Sequence, residues 1–172
     1  MTPLPALPGE SELVAWRLDQ ANFGPAWDSG EGAYRVGGRW NSRGVRAVYC
    51  SIDPATAILE VAVHKGFKAL DTVPHVLTSL TVSRQSGIHI VDPVSVPNPN
   101  WLRPGIPSAG QQGFGDELLA RHKFILIPSA VSIYGWDLIF VRTFAVEAYA
   151  LRSQEPFALD TRLHLPSPHW KA

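Results

Sequence analysis

The segment Gly37-Gly38-Arg39-Trp40-Asn41 sets a guanidinium between two glycines and an indole. Glycines let backbone approach a ligand closely. Arginine offers a planar fork that grips a phosphate or pyrophosphate by paired hydrogen bonds, which lysine does not reproduce. Trp40 can wall such a ligand, and Asn41 brings one donor and one acceptor. The plain alternative is a surface turn with a solvated arginine. Glu60 stands in Ala57-Ile-Leu-Glu60-Val-Ala-Val, an otherwise apolar stretch, so its carboxylate either faces solvent or lies at a cleft. His64, four residues on, projects from the same helical face and is within reach of a hydrogen bond to Glu60. In Ile125-Leu-Ile-Pro128-Ser129-Ala-Val131 a proline interrupts an apolar strand. That implies an edge or a bulge, and a bulge can aim the Ser129 hydroxyl at a ligand. Arg17, between Trp16 and Leu18, is either outward-facing or a second cation for the same anion.

The elements that must position these groups are legible in outline. Residues 13–18 read as a first strand, followed by a glycine-rich loop over 22–44. Residues 47–51 alternate, with Ala47, Tyr49 and Ser51 on one face and Val48 and Cys50 on the other. Asp53-Pro54 is a side-chain cap followed by proline at the first helical position; residues 55–65 form helix, and Gly66 sits where a C-terminal cap belongs. A helix starting there packs back on the strand before it, so that Tyr49, Ser51, Glu60 and His64 face a common crevice. Further strands are expected at 76–82, 88–91, 124–131, 136–141 and 157–163, and a short helix at 116–122. Residues 92–110 carry five prolines and read as an ordered loop or lid. This order is α+β rather than alternating βαβ.

Composition narrows the function. With 172 residues the chain is expected to form one domain, with residues 1–12 irregular and 166–172 a tail. Fifteen Lys+Arg balance fifteen Asp+Glu, which argues against direct nucleic-acid binding, because phosphate neutralisation needs a basic excess. Charged residues are 17% of the chain, below the usual level of about 25%. So little charge points to a surface covered by another subunit. The single Cys50 cannot form an internal disulfide, no ligand ladder for a metal is visible, and no apolar run approaches a membrane span. A cytoplasmic chain without membrane segment or metal is expected. The sequence has no GxGxxG after a strand, no GxxxxGK[ST], no HExxH and no GxSxG.

Taken together these residues resemble the RES-domain family, toxins of bacterial toxin–antitoxin pairs. The resemblance is carried by Trp16-Arg17, by Gly37-Gly38-Arg39-Trp40-Asn41, by Ala47-Val-Tyr49-Cys-Ser51 and by Pro54-Ala-Thr-Ala-Ile-Leu-Glu60-Val-Ala-Val-His64. Ile127-Pro128-Ser129-Ala-Val131 and Pro156-Phe-Ala-Leu-Asp160-Thr-Arg162-Leu163 complete it, over about residues 13–165. Members are similar in fold to ADP-ribosyltransferases, with mostly antiparallel strands and a few helices around an NAD cleft. They consume NAD as substrate by phosphorolysis, by hydrolysis or by transfer of ADP-ribose to a protein.

The resemblance implies Arg39, Tyr49 and Glu60 as catalytic residues. It implies Arg17, Arg39, Trp40, Asn41, Ser51, His64 and Ser129 as NAD-binding ones, with no metal and with inorganic phosphate or water as acceptor. It implies a cognate helix-turn-helix antitoxin as partner, with a homo-oligomer inside the complex. Two other functions stay open: a protein ADP-ribosyltransferase toxin, and a non-catalytic partner-binding module with a degenerate site. Members commonly carry an Asn and then an Asn-Pro pair after the Pro-Ser strand. This chain reads Tyr134-Gly-Trp-Asp137-Leu-Ile-Phe-Val141-Arg142, with Asp137 in place of the neutral amide.

Overall fold

A computed structural model describes residues 12–83, 87–103, 105, 107–132 and 134–160. The expected tail, and all of the expected N-terminal irregular segment except Glu12, lie outside these residues.

Seven strands form one sheet in the order β4-β5-β6-β2-β1-β3-β7. They are β1 (Glu12–Gln20), β2 (Ala47–Ser51), β3 (His75–Ser83), β4 (Ile88–Ile90), β5 (Phe124–Pro128), β6 (Trp136–Val141) and β7 (Tyr149–Phe157). Every neighbouring pair is antiparallel except β4 with β5. The helices are α1 (Glu31–Val36), α2 (Pro54–Lys65), α3 (Phe67–Thr72), α4 (Ala109–Arg121) and the single turn α5 (Arg142–Ala145). The α+β expectation is met.

The sheet is buried on both faces at its centre, which explains why β5 and β6 read as unbroken apolar runs rather than alternating ones. Phe124, Leu126, Trp136, Leu138 and Phe140 enter one core with Val48 and Cys50. Ile125, Ile127 and Ile139 enter the other with Trp40, Ala47, Trp101 and Leu119, and Tyr49 packs against it. The expected division of β2 between two faces therefore holds.

Helix α2 begins as its residues dictate. The Asp53 side chain accepts from the Thr56 N–H at 2.8 Å, Pro54 occupies the first turn, and Gly66 caps the far end. Ala62 and the half-buried Ile58 and Val61 pack around Leu18 of β1 and Leu70 of α3. This contact turns the opposite side of α2, with Glu60, towards β2.

Several expectations shift. The loop over 22–44 contains a 3-10 turn at Ala21–Ala26 and α1, whose side chains are not buried and so leave no apolar period to read. Helix α4 starts seven residues before the expected position, capped by Ser108, despite three glycines inside it. Helix α3 follows Gly66 without a loop. Strand β5 stops at Pro128 instead of running to residue 131, because proline lacks the N–H that would continue the ladder. The last strand precedes its expected position, sharing only Phe157 with it; residues 161–163 of that expectation lie outside the described chain. Strand β7 is an edge strand with one ladder to β3, which tolerates Pro156 and mostly polar, exposed side chains.

The key irregularity is between β1 and β2. Strand β1 pairs with β3 over nine residue positions, but with β2 only at Trp16–Ser51. The sheet splits there, and the split opens a cleft.

Candidate active site

The cleft encloses about 330 Å³, at the lower end of the range for small-molecule sites. Trp16 to Asp19 of β1 line one wall, Tyr49 to Ser51 of β2 the other, Glu60 and His64 of α2 one end, and Arg39 the rim. Asp137 of β6 also lines it.

Two strand edges that diverge leave backbone groups without ladder partners, and buried ones must be satisfied otherwise. Arg17 spans the gap: its Nη1 donates to the Tyr49 carbonyl at 2.9 Å. Its other nitrogens, Nε and Nη2, form a bidentate pair with Asp19 at 2.7 and 2.6 Å. Asp19 lies two residues along the same strand and so on the same face. Arg17 is therefore neutralised within the wall, and the expectation of a free second cation for a pyrophosphate gives way to a cross-strand brace.

The Gly-Gly-Arg-Trp-Asn segment is a tight reversal in which the Gly38 N–H donates to the Asn41 carbonyl at 2.9 Å. Its two central residues point apart. Trp40 is buried against Trp101, with ring centroids 5.3 Å apart, so most of its indole serves the core, although the residue also borders the cleft. Arg39 stays at the rim, where its Nη1 donates to the Trp101 and Arg103 carbonyls at 2.8 and 3.4 Å. The guanidinium thereby ties the reversal to the proline-rich segment.

Asn41 is fully buried and is not part of the cleft lining. Its Nδ2 donates to the Ala33, Ser42 and Val45 carbonyls, and its Oδ1 accepts from the Tyr49 hydroxyl at 2.7 Å. Asn41 thus holds the loop instead of contacting a ligand, contrary to expectation. The Tyr49 hydroxyl also accepts the Trp40 N–H at 3.0 Å. Gly38 sits so close that a Cβ there would lie 2.6 Å from both the Asn41 Oδ1 and the Tyr49 oxygen. Helix α4 closes this assembly from behind: Gln112 donates to the Gly38 carbonyl, Asp116 accepts the Ser42 N–H, and Gly115 meets the Trp40 carbonyl. Burial pushes the Tyr49 phenol up, so it stays protonated and able to donate.

Glu60 is half-buried at the end of the cleft, and the Ser129 hydroxyl donates to its Oε1 at 2.9 Å. The Ser129 Oγ in turn accepts the Val131 and Ser132 N–H groups, both at 3.2 Å. Its proton is committed to Glu60, and the side chain is buried. Ser129 therefore orients the carboxylate, where a direct substrate contact was expected. His64 lines the cleft, but its Nδ1–H donates to the Glu60 backbone carbonyl at 2.7 Å rather than to the carboxylate. That bond fixes a tautomer with Nε2 free to accept when the ring is neutral.

Ser51 is buried beneath the cleft and donates to Asp137 Oδ1 at 2.8 Å. These two residues are register partners on β2 and β6. Burial, and next the Glu60 carboxyl, push the Asp137 carboxyl well above the usual carboxylate range, against the Ser51 bond that favours its charged form. Asp137 belongs to the site although sequence reading set it apart as a departure. The signal was present: a carboxylate inside Trp136-Asp137-Leu-Ile-Phe-Val141 is as anomalous as Glu60 in its helix.

A sequence model of the RES domain matches residues 14–160, and the chain belongs to the RES-domain family. Among individual proteins it is similar to the toxin Res of Photorhabdus laumondii subsp. laumondii. The two are 32% identical over 129 residues, covering 74% of this chain and 80% of that one. In structure it is similar to a chain of the M. tuberculosis MbcT–MbcA toxin–antitoxin complex. The TM-score is 0.70 at 20% identity, over 86% of this chain and 85% of that one. The likeness carries the α+β fold expected from sequence. Among the described residues no helix is long and apolar enough to cross a membrane.

Proposed function

We propose that this protein is a toxin that consumes NAD, breaking the nicotinamide–ribose bond and transferring the ribose carbon to phosphate or water. The observation that carries this reading is Glu60, a carboxylate at the end of a cleft in a split sheet, oriented by Ser129. Loss of nicotinamide takes the bonding electron pair onto the ring nitrogen and leaves C1′ with oxocarbenium character, as in glycoside cleavage. A carboxylate that hydrogen-bonds the ribose hydroxyls gains strength as that positive charge grows, so it favours the transition state over bound substrate. A phosphate oxygen or a water oxygen then bonds to C1′, the water also releasing a proton.

Arg39 at the rim is suited to the pyrophosphate: Nη1 is held by carbonyls, while Nε and Nη2 have no partner among the described residues. The Tyr49 ring lines the cleft as a flat wall for nicotinamide or ribose, because its hydroxyl is already spent on the loop. Membership of the family and the similarity to a toxin support growth arrest through loss of NAD in the cytoplasm. The similarity to a chain of a toxin–antitoxin complex supports a cognate antitoxin as the silencing partner; its helix-turn-helix type is what the family resemblance implies.

The test is to incubate the purified protein with NAD, with and without inorganic phosphate, and to identify products. ADP-ribose-1″-phosphate formed only with phosphate means phosphorolysis, and free ADP-ribose means hydrolysis. Label retained on a protein would replace this reading with ADP-ribosyl transfer. Intact NAD, together with harmless expression in the absence of any partner, would replace it with a binding module.

A further inference from the structure

Arg39 stands on a short reversal, and a guanidinium there is only as well placed as the turn that carries it. Gripping a phosphate by two parallel N–H bonds demands orientation as well as charge. Besides the bonds within the loop and from Tyr49, the reversal is held by helix α4. The Gln112 Nε2 donates to the Gly38 carbonyl at 2.9 Å. The Asp116 carboxylate accepts the Ser42 N–H, at 3.0 Å through Oδ1 and 3.3 Å through Oδ2. Gln112 and Asp116 stand four residues apart and so share one face of the helix. Their bonds fall on the residue before Arg39 and on Ser42 beyond it, which brackets the arginine.

The fit leaves little slack. A Cβ at Gly37 would lie 3.2 Å from the Gln112 Nε2, and one at Gly115 would lie 2.0 Å from the Trp40 carbonyl oxygen. Gly115, between the two polar residues, lets the helix backbone come near enough for both side chains to reach. The neighbouring Gln111 is buried, and its Oε1 accepts from the Asn98 Nδ2 at 3.3 Å. Asn98 belongs to the proline-rich segment whose Trp101 and Arg103 carbonyls accept from Arg39. Helix α4 therefore bonds to both stretches of chain that Arg39 joins.

Neither Gln112 nor Asp116 lines the cleft. We propose that Gln112 and Asp116 are positioning residues that orient the Arg39 guanidinium for the pyrophosphate, acting on the ligand only through that side chain. The inference deepens the NAD reading and rests on it for its kinetic arm alone.

The experiment uses variants that remove one bond each. Gln112→Met keeps the length and loses the donor, Asp116→Ala loses the acceptor, and Asp116→Asn keeps one acceptor oxygen. Gln112→Met and Asp116→Ala are expected to raise KM for NAD about fivefold or more, with kcat changed less than about twofold and Asp116→Asn close to the unmodified protein. Added to Arg39→Ala, Gln112→Met should raise KM no further, because the two changes remove one and the same interaction. Tyr149→Phe, which removes a bond to Asp28 away from the cleft lining, is the control for lost stability: its Tm should fall while KM stays. Full additivity with Arg39→Ala, or an asparagine variant as impaired as the alanine one, would overturn the proposal.

A second readout needs no substrate. Amide hydrogen exchange over residues 38–42 should quicken in Gln112→Met and Asp116→Ala while exchange in β5 and β6 stays as it was. Unchanged exchange in the reversal overturns the proposal whatever the substrate is. Quickened exchange in a protein that leaves NAD intact supports the bracket around Arg39 and overturns the NAD reading alone.

Discussion

Ser129 and Glu60 lie 69 positions apart in the chain and meet through one hydrogen bond of 2.9 Å. Because two backbone N–H groups occupy the Ser129 oxygen, its proton has no better acceptor than the Glu60 carboxylate. Ser129→Ala therefore removes an orienting bond and not a substrate contact. It is expected to lower kcat for NAD about tenfold with KM changed little, whereas Glu60→Gln should cost at least about a hundredfold. Steady-state kinetics on both variants check this, and an S129A effect confined to KM would contradict it.

The Tyr49 hydroxyl is the node of the loop that carries Arg39. Tyr49→Phe leaves the Trp40 N–H and the Asn41 Oδ1 without that partner. Each orphaned polar group costs about 1–3 kcal/mol. The variant should melt lower and bind NAD more weakly while keeping the Tyr49 ring in the wall. Thermal denaturation and NAD titration read the two effects separately.

Two glycines of α4 should respond oppositely to alanine. At Gly115 a Cβ would lie 2.0 Å from the Trp40 carbonyl oxygen, so helix and loop must part. At Gly113 it would meet nothing within 4 Å. Gly113→Ala is expected to stabilise by about 0.5–1 kcal/mol through helix propensity alone, and Gly115→Ala to destabilise by about 2 kcal/mol or more. Equal effects on chemical denaturation midpoints would show that the loop does not press on α4.

Cys50 should be chemically silent. It is buried under the split in the sheet, and burial pushes its thiol up to about 12. The reactive species is the thiolate, so alkylation at pH 7 to 9 should proceed only as fast as the protein opens. Rapid labelling of the folded chain with iodoacetamide, followed by mass spectrometry, would contradict this.

Much of this protein is determined by short-range chemistry that the sequence displays. The Asp53-Pro54 cap, the Gly66 stop and the alternation over Ala47–Ser51 are local rules, and each reappears at its expected residues. Arg39 and Glu60 stand out because charge is scarce around them, and both line the cleft. Roles within the site were not legible, because a side chain's partner is set by what the fold brings to it. Trp40 turned inward because Trp101, distant in sequence, closes a core over it. Asn41 and Ser129 became supports because buried carbonyls, N–H groups and a carboxylate claimed their hydrogen-bonding capacity. Arg17 was discharged by Asp19 where two strands part. Helix α4 runs through three glycines because its packing against the Trp40 loop outweighs their poor propensity. The sequence by itself determines which groups are available for chemistry. Only the tertiary structure decides which remain free to perform it, because every buried polar atom must first find a partner.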